Sequence, residues 1–64
     1  MKLQKGDIIF FKDFIDGFSY VPLYKEFEIQ KVFSDGSFYI NFQGCAIWVG
    51  DYELDIVEKV KGDK

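Results

Sequence analysis

The chain has 64 residues and a net charge of −3, from 11 acidic and 8 basic side chains, and 20% of its residues are aromatic. This length excludes a second domain, so we interpret residues 1–64 as one domain with loose termini and a core over about residues 6–59. The lone Cys45 excludes an internal disulfide and favours a reducing, cytoplasmic setting. No apolar run approaches the ~20 residues that span a bilayer, and the start lacks the apolar region of a signal peptide.

The types of charged residue narrow the chemistry further. Every basic residue is Lys, and the sequence contains neither Arg nor His. Without Arg, the bidentate contacts to phosphate and guanine are missing, which disfavours nucleic acid as a partner. Without His and with one Cys, no zinc ligand set or Cys–His nucleophile exists, and no Ser has a partner base. We therefore expect a non-enzymatic protein with no catalytic, metal-binding or cofactor-binding residues.

The first predicted strand, residues 8–12, follows a Gly-Asp turn and is apolar at both odd and even positions. Either both of its faces are covered or one of them exposes apolar groups. Residues 13–24 are interrupted by Gly17 and Pro22, although they are rich in apolar side chains. We interpret them as a long ordered loop, or a bent hairpin, that folds back onto the sheet.

The strongest local signal is Asp35-Gly36, which predicts a two-residue type I′ turn between strands 26–34 and 37–43. The predicted register pairs Phe33 with Phe38, Lys31 with Ile40, and Ile29 with Phe42. One face then collects the expected core residues, Phe27, Ile29, Phe33, Phe38, Ile40 and Phe42. Lys31 falls on the same face, so it either extends its ammonium out at an edge or is rotated outward by a β-bulge.

A second tight turn is predicted at Gln43-Gly44, leading into strand 45–49. A two-residue turn pairs Cys45 with Phe42, Ala46 with Asn41, Ile47 with Ile40, Trp48 with Tyr39, and Val49 with Phe38. Cys45, Ile47 and Val49 extend the core face in this register. Residues 50–53 suit a 3₁₀ turn, residues 54–58 a final strand, and residues 59–64 a charged tail.

From the strands alone we predict a small five-stranded antiparallel barrel or meander. The segments "KGDIIFF", "VFSDGSFYINF" and "IWVGDYELDIVE" together resemble SH3-like barrels over about residues 5–59. The resemblance implies an all-β, five-stranded antiparallel SH3-like barrel with a long first loop and a 3₁₀ turn before the last strand. The "ALYDY"-type loop of proline-binding SH3 domains and the Gly-centred motif of KOW-type barrels are absent. The chain is most similar to small bacterial and phage SH3-like proteins, which implies a phage or prophage origin.

Two aromatic groups are candidate partner-binding sites. Val32, Tyr39 and Trp48 fall together on the non-core face of three strands, where the loop of residues 13–24 either covers them or leaves them exposed for a partner. The resemblance further implies that this loop and the 3₁₀ turn form a ligand groove. The residues expected there are Phe18, Tyr20, Tyr24 and Tyr52, and Glu26, Glu28, Asp51 and Glu53 would favour a basic partner. The alternative is that the loop simply packs against the barrel.

The sequence therefore favours a protein-interaction module that docks an aromatic surface onto a partner protein. One alternative is a nucleic-acid-associated barrel in which aromatic rings stack on bases. Its positive charge would come from Lys2, Lys5, Lys12 and Lys25. The other alternative is a homodimer formed through the outer aromatic face or an exposed strand edge.

Overall fold

The computed structural model describes residues 2–60. Residues 61–64 of the predicted charged tail lie outside the described residues. The elements in chain order are β1 (Ile8–Phe11), β2 (Phe27–Val32), β3 (Phe38–Phe42), β4 (Cys45–Val49), a 3₁₀ helix (Asp51–Ile56) and β5 (Val57–Lys59). In the described residues no helix has the length and apolar character needed to cross a membrane.

The five strands form one antiparallel sheet in the order β4-β3-β2-β1-β5. This confirms the predicted all-β, five-stranded antiparallel architecture. Within residues 2–60 no pairing joins β4 to β5, so the sheet stays open and the predicted closure into a barrel is wrong. The 3₁₀ helix occupies this connection, and its Leu54 and Ile56 pack against the core. The last strand consequently begins at Val57, three residues later than predicted.

The core lies on one side of the sheet and draws on every strand. Its buried apolar residues are Leu3, Ile9, Phe11, Ile15, Val21, Phe27, Ile29, Phe38, Ile40, Ile47, Val49 and Val57. Leu3 precedes the predicted core boundary at residue 6. Alternate residues of β1 are buried and half-buried, so both of its faces are at least partly covered.

The first hairpin has a three-residue turn rather than the predicted two-residue turn. The Phe33 N–H donates to the Ser37 carbonyl at 2.8 Å, and the Gly36 N–H donates to the Phe33 carbonyl at 3.0 Å. Gly36 has φ +95° and takes the left-handed position that closes such a turn. The Asp35 carboxylate accepts hydrogen bonds from the Ser37 Oγ at 2.6 Å and the Ser37 N–H at 2.9 Å. These hydrogen bonds lower the pKa of Asp35.

The extra turn residue shifts the register of β2 by one position next to the turn. Val32 pairs with Phe38 and Lys31 with Tyr39, whereas Ile29 pairs with Ile40 across a bulge between Ile29 and Lys31. The bulge that we considered for Lys31 is therefore confirmed. The predicted sides of Val32 and Phe33 are wrong. Val32 packs against the core, and Phe33 is exposed on the outer face.

The second hairpin has all five predicted pairs, from Phe42–Cys45 to Phe38–Val49. Gln43 and Gly44 have φ +53° and +82°, as a type I′ turn requires. Although the pairing is right, the prediction that Cys45 is part of the core is wrong, because its side chain is exposed. It is the first residue after the turn and lies on β4, an edge strand of the sheet.

The connection between β1 and β2 is ordered and folds back, as predicted. Ile15 and Val21 are buried in the main core, and Ile15 forms an isolated antiparallel bridge with Phe18. The Asp16 N–H donates to Oε2 of Glu53 at 2.9 Å, which ties this loop to the 3₁₀ helix. The loop therefore packs on the core side of the sheet.

Candidate interaction surface

Four aromatic side chains, Phe33, Tyr39, Trp48 and Tyr52, form what we call the outer aromatic surface. Tyr39 and Trp48 are direct partners on β3 and β4. The residues that flank Trp48 along its strand are buried, so by alternation the indole points away from the core. Trp48 is 45% exposed and Tyr52 is 65% exposed. The surface is therefore accessible to a partner.

The four rings follow one another across the outer face. The ring centroids of Phe33 and Tyr39 are 6.2 Å apart, and those of Trp48 and Tyr52 are 6.4 Å apart with an interplanar angle of 58°. These distances lie within the range of favourable aromatic contacts. The backbone pairing of Tyr39 with Trp48 places these two ring pairs on neighbouring strands, between the first hairpin and the 3₁₀ helix.

Gly50 lies against the side chains of both Trp48 and Tyr52. A Cβ atom at Gly50 would overlap Cε1 of Tyr52 and would lie 3.0 Å from Cη2 of Trp48. Gly50 itself is buried. The Tyr52 ring therefore folds back over the backbone because residue 50 has no side chain, and this contact fixes Tyr52 beside the indole.

Charges of both signs border the outer aromatic surface. The Lys31 ammonium lies 5.3 Å from the centroid of the Phe33 ring, within the range of a cation–π contact. At the other end, Asp51 follows Gly50 and begins the 3₁₀ helix, whose first turn also contains Glu53. A Cβ at Gly36 would be 3.5 Å from the Asp51 Cβ, so the first hairpin turn lies against this acidic segment.

The structure regroups the residues predicted to bind a partner. Tyr39 and Trp48 lie together as expected, but Val32 does not join them because of the register shift, and Phe33 takes its place. Tyr52 contacts Trp48 rather than the tyrosines of the long loop. The alternative in which the loop covers Trp48 is wrong, because the indole is exposed and the buried residues of the loop join the main core.

The loop aromatics occupy other places. Tyr20 contacts Phe18 and Phe42 at centroid distances of 6.3 and 6.2 Å, and Tyr24 contacts Phe10 at 5.6 Å. Tyr20 and Tyr24 are exposed, whereas Phe18 is half-buried. Their predicted role in partner binding stays a prediction, and their ring contacts are with Phe10, Phe18 and Phe42, whereas the ring contact of Tyr52 is with Trp48.

A small open groove of about 220 Å³ adjoins the outer aromatic surface at Phe33. Its lining residues are Lys2, Leu3, Val32, Phe33, Ser34, Gly36 and Leu54. The sequence pattern does not predict this groove, because it assigns Leu3 to a loose lead-in and Phe33 to the core. Lys31 interrupts the apolar face of the predicted strand. A β-bulge at that position would have assigned Phe33 to the outer face.

The polar side chains of the described residues were compared with the needs of a metal site and with hydrogen-bond satisfaction. Among residues 2–60, no three His, Cys, Asp or Glu side chains are grouped so that they could hold a metal ion. Every buried side-chain N or O atom in this part of the chain has a hydrogen-bond partner. Comparisons of the chain with protein-family models, curated proteins and solved structures found no significant match. A functional proposal therefore depends on the surface itself.

Proposed function

We propose that this protein is a non-enzymatic, cytoplasmic interaction module that docks the outer aromatic surface onto a partner protein. The observation that carries the proposal is the adjacent exposure of Trp48 and Tyr52, with 45% and 65% of their surfaces in contact with solvent. Trp and Tyr dominate interface hot spots, because they bring a large contact area and lose little rotamer freedom on binding. The contact over Gly50 holds both rings in place before a partner arrives, which reduces the ordering cost of binding.

We further propose that the module is an SH3-like protein of phage or prophage origin. The SH3-like part is supported by the order of its elements, in which a long loop follows β1, tight turns join β2 to β4, and a 3₁₀ helix precedes β5, whereas the origin is proposed from the sequence resemblance alone. The exposed Asp51 at the start of the 3₁₀ helix favours a partner that has basic groups next to an apolar anchor.

Capture experiments with matched variants test the proposed docking surface. The wild-type chain and the variants Trp48→Ala, Tyr52→Ala and Tyr24→Ala are immobilised, and retained host proteins are quantified. Tyr24→Ala is the control, because Tyr24 is 67% exposed, close to the 65% of Tyr52, but lies elsewhere beside Phe10. We expect one or more proteins whose retention falls at least about tenfold with Trp48→Ala and Tyr52→Ala and stays unchanged with Tyr24→Ala.

Circular dichroism verifies that each variant keeps the fold. A protein that is retained equally by Trp48→Ala and Tyr52→Ala but lost with Tyr24→Ala would place docking on the loop. Equal retention by all variants would contradict the proposal.

A further inference from the structure

The two edges of the sheet differ in how they are protected. The β5 edge has three residues, Val57–Lys59, two of which are charged, and Glu58 and Lys59 are both ion-paired to neighbouring segments. The β4 edge has five residues, Cys45–Val49, none of them charged or proline, and its pairing with β3 is regular throughout. Charges, prolines, bulges and short length are the usual devices that prevent edge strands from pairing. β4 has none of them.

The hydrogen-bond pattern shows which backbone groups of β4 are free. The Ser37 carbonyl accepts from the N–H of Phe33, the residue after β2, so by antiparallel alternation Phe38, Ile40 and Phe42 direct their backbone groups toward β4. Their partners on β4 are Val49, Ile47 and Cys45. The N–H and C=O groups of Ala46 and Trp48 consequently point away from β3, and no other backbone hydrogen bond among residues 2–60 involves them.

We propose that β4 pairs antiparallel with β4 of a second copy of this chain, about a two-fold axis at Ile47. In this register Ala46 lies opposite Trp48 of the second copy, and Trp48 lies opposite its Ala46. The two free N–H and two free C=O groups on each strand then all find partners, so the edge is complementary to itself. Isologous pairing of this kind closes a dimer and leaves no further β4 edge exposed.

The side chains along the edge fit the same register. Ala46 is small, so the opposing indole of the second copy has space beside it. Asp51 is the charged residue that follows the strand, and it comes opposite the uncharged Gln43 of the second copy. A chain of net charge −3 therefore pairs here without placing like charges opposite each other. The two outer aromatic surfaces end on the same face of the continuous sheet.

Sedimentation across a concentration series tests the pairing, with Ala46→Pro as the main variant. The Ala46 N–H points away from β3 and the residue is exposed, so proline is compatible with the monomer fold but removes an intermolecular donor. We expect a wild-type dimer whose dissociation constant rises at least about tenfold with Ala46→Pro. Ala46→Lys, which keeps the N–H and adds an edge charge, should also weaken the dimer.

The matched control is Lys59→Pro on the other edge. Val60 donates its N–H to Ile8, so the N–H of Lys59 likewise points away from the sheet. This variant should dimerise like the wild type. Tyr39→Ala, which alters the outer aromatic surface but leaves the β4 backbone intact, should also dimerise.

Hydrogen exchange distinguishes edge pairing from other modes of association. At low concentration the amides of Ala46 and Trp48 should exchange fast, and at high concentration they should become protected. The Ile47 amide should be protected throughout, since it is bonded to β3. A strictly monomeric wild type, or a dimer in which Ala46 and Trp48 stay unprotected, would overturn the proposal. Protection that appears only with a foreign partner would overturn it equally. This inference does not depend on the proposed function, which is tested separately by protein capture with the Tyr52→Ala and Tyr24→Ala variants.

Discussion

At the level of single residues, Gly44 and Gly50 are required for different physical reasons. Gly44 has φ +82° in a tight turn and no atom close to the position of a Cβ. Gly50 has an ordinary φ of −72°, but its missing Cβ leaves space for the Tyr52 ring and the edge of Trp48. Backbone conformation therefore demands glycine at position 44, and the packing of the outer aromatic surface demands it at position 50.

This difference predicts opposite outcomes for two alanine substitutions. Gly44→Ala forces a left-handed backbone on a residue with a Cβ, so it should lower the free energy of unfolding by about 1–2 kcal/mol and leave Trp48 emission unchanged. Gly50→Ala should displace the exposed Tyr52 ring, which costs little stability but alters Trp48 emission and weakens partner binding. Urea unfolding measures the free energy of unfolding of each variant, and fluorescence measures its Trp48 emission. Unchanged Trp48 emission in Gly50→Ala would contradict the described packing.

Asp35 gives the first hairpin a dependence on pH. Its pKa is lowered from the ordinary value of 3.8, mainly by the hydrogen bond from the Ser37 hydroxyl and then by that from the Ser37 N–H. A carboxyl group with a lowered folded-state pKa stabilises the fold above its unfolded pKa, and this contribution is lost as the pH falls through the folded pKa.

We therefore expect Asp35→Asn to be less stable than the wild type near neutral pH and to approach it in acid, below pH ~3.8. The amide oxygen of Asn keeps a hydrogen-bond acceptor but does not carry the charge, so the comparison isolates ionisation. Urea unfolding at several pH values measures the difference. A stability difference that is the same at neutral and acidic pH would show that the Asp35 charge has no part in holding the turn.

At the level of elements, the two hairpins show what the sequence could and could not establish. The register after the Gln43-Gly44 turn was predicted in full from the assumption of a two-residue loop, and the structure has that loop even though Gln is not a preferred first residue of such a turn. Ser34-Asp35-Gly36 is compatible with both a two-residue turn and a three-residue turn, because each places Gly36 at a positive φ. The local signal could not choose between them, and the bulge beyond the turn depends on packing against the core.

Each hairpin residue of the outer aromatic surface was predicted correctly only where the register of its hairpin was predicted correctly. Tyr39 and Trp48 belong to the hairpin with the correct register, and they were placed together. Phe33 belongs to the other hairpin and was assigned to the core. The position of Tyr52 depends on how the 3₁₀ helix folds over Gly50, which is a tertiary contact without a sequence pattern.

The register itself predicts unequal effects at two phenylalanines of the first hairpin. In a two-residue turn Phe33 and Phe38 would face each other in the core, whereas in the structure Phe33 is 37% exposed and Phe38 is fully buried. Phe38→Ala should lower the free energy of unfolding by about 3–5 kcal/mol, as deletion of a buried ring does, which is enough to leave so short a chain largely unfolded without denaturant. Phe33→Ala should lower it by less than about 1 kcal/mol. Urea unfolding of both variants decides between the registers, and equal large losses would favour the two-residue turn.

At the level of the whole molecule, stability depends on how completely a short chain can cover its core. Leu3 is 8% exposed and belongs to the core, although it precedes β1. Its segment is held by a hydrogen bond from the Gly6 N–H to the Ile29 carbonyl at 2.8 Å, and by one from the Gln4 N–H to the Asp7 carboxylate at 2.9 Å. The N-terminal segment therefore acts as part of the fold rather than as a lead-in.

Leu3→Ala should consequently destabilise the protein as a core substitution does. Loss of a buried Leu side chain costs about 2–5 kcal/mol, and we expect the lower end because Leu3 borders the open groove beside Phe33. A core in a chain of this size rarely supplies more than about 3–5 kcal/mol in total, so the variant should be partly unfolded at moderate temperature. Gln4→Ala is the control, because the Gln4 side chain is exposed and its hydrogen bonds come from the backbone. Urea unfolding should give a clearly lower midpoint for Leu3→Ala than for Gln4→Ala. The same midpoint for both variants would mean that Leu3 does not complete the core and does not line the groove beside Phe33.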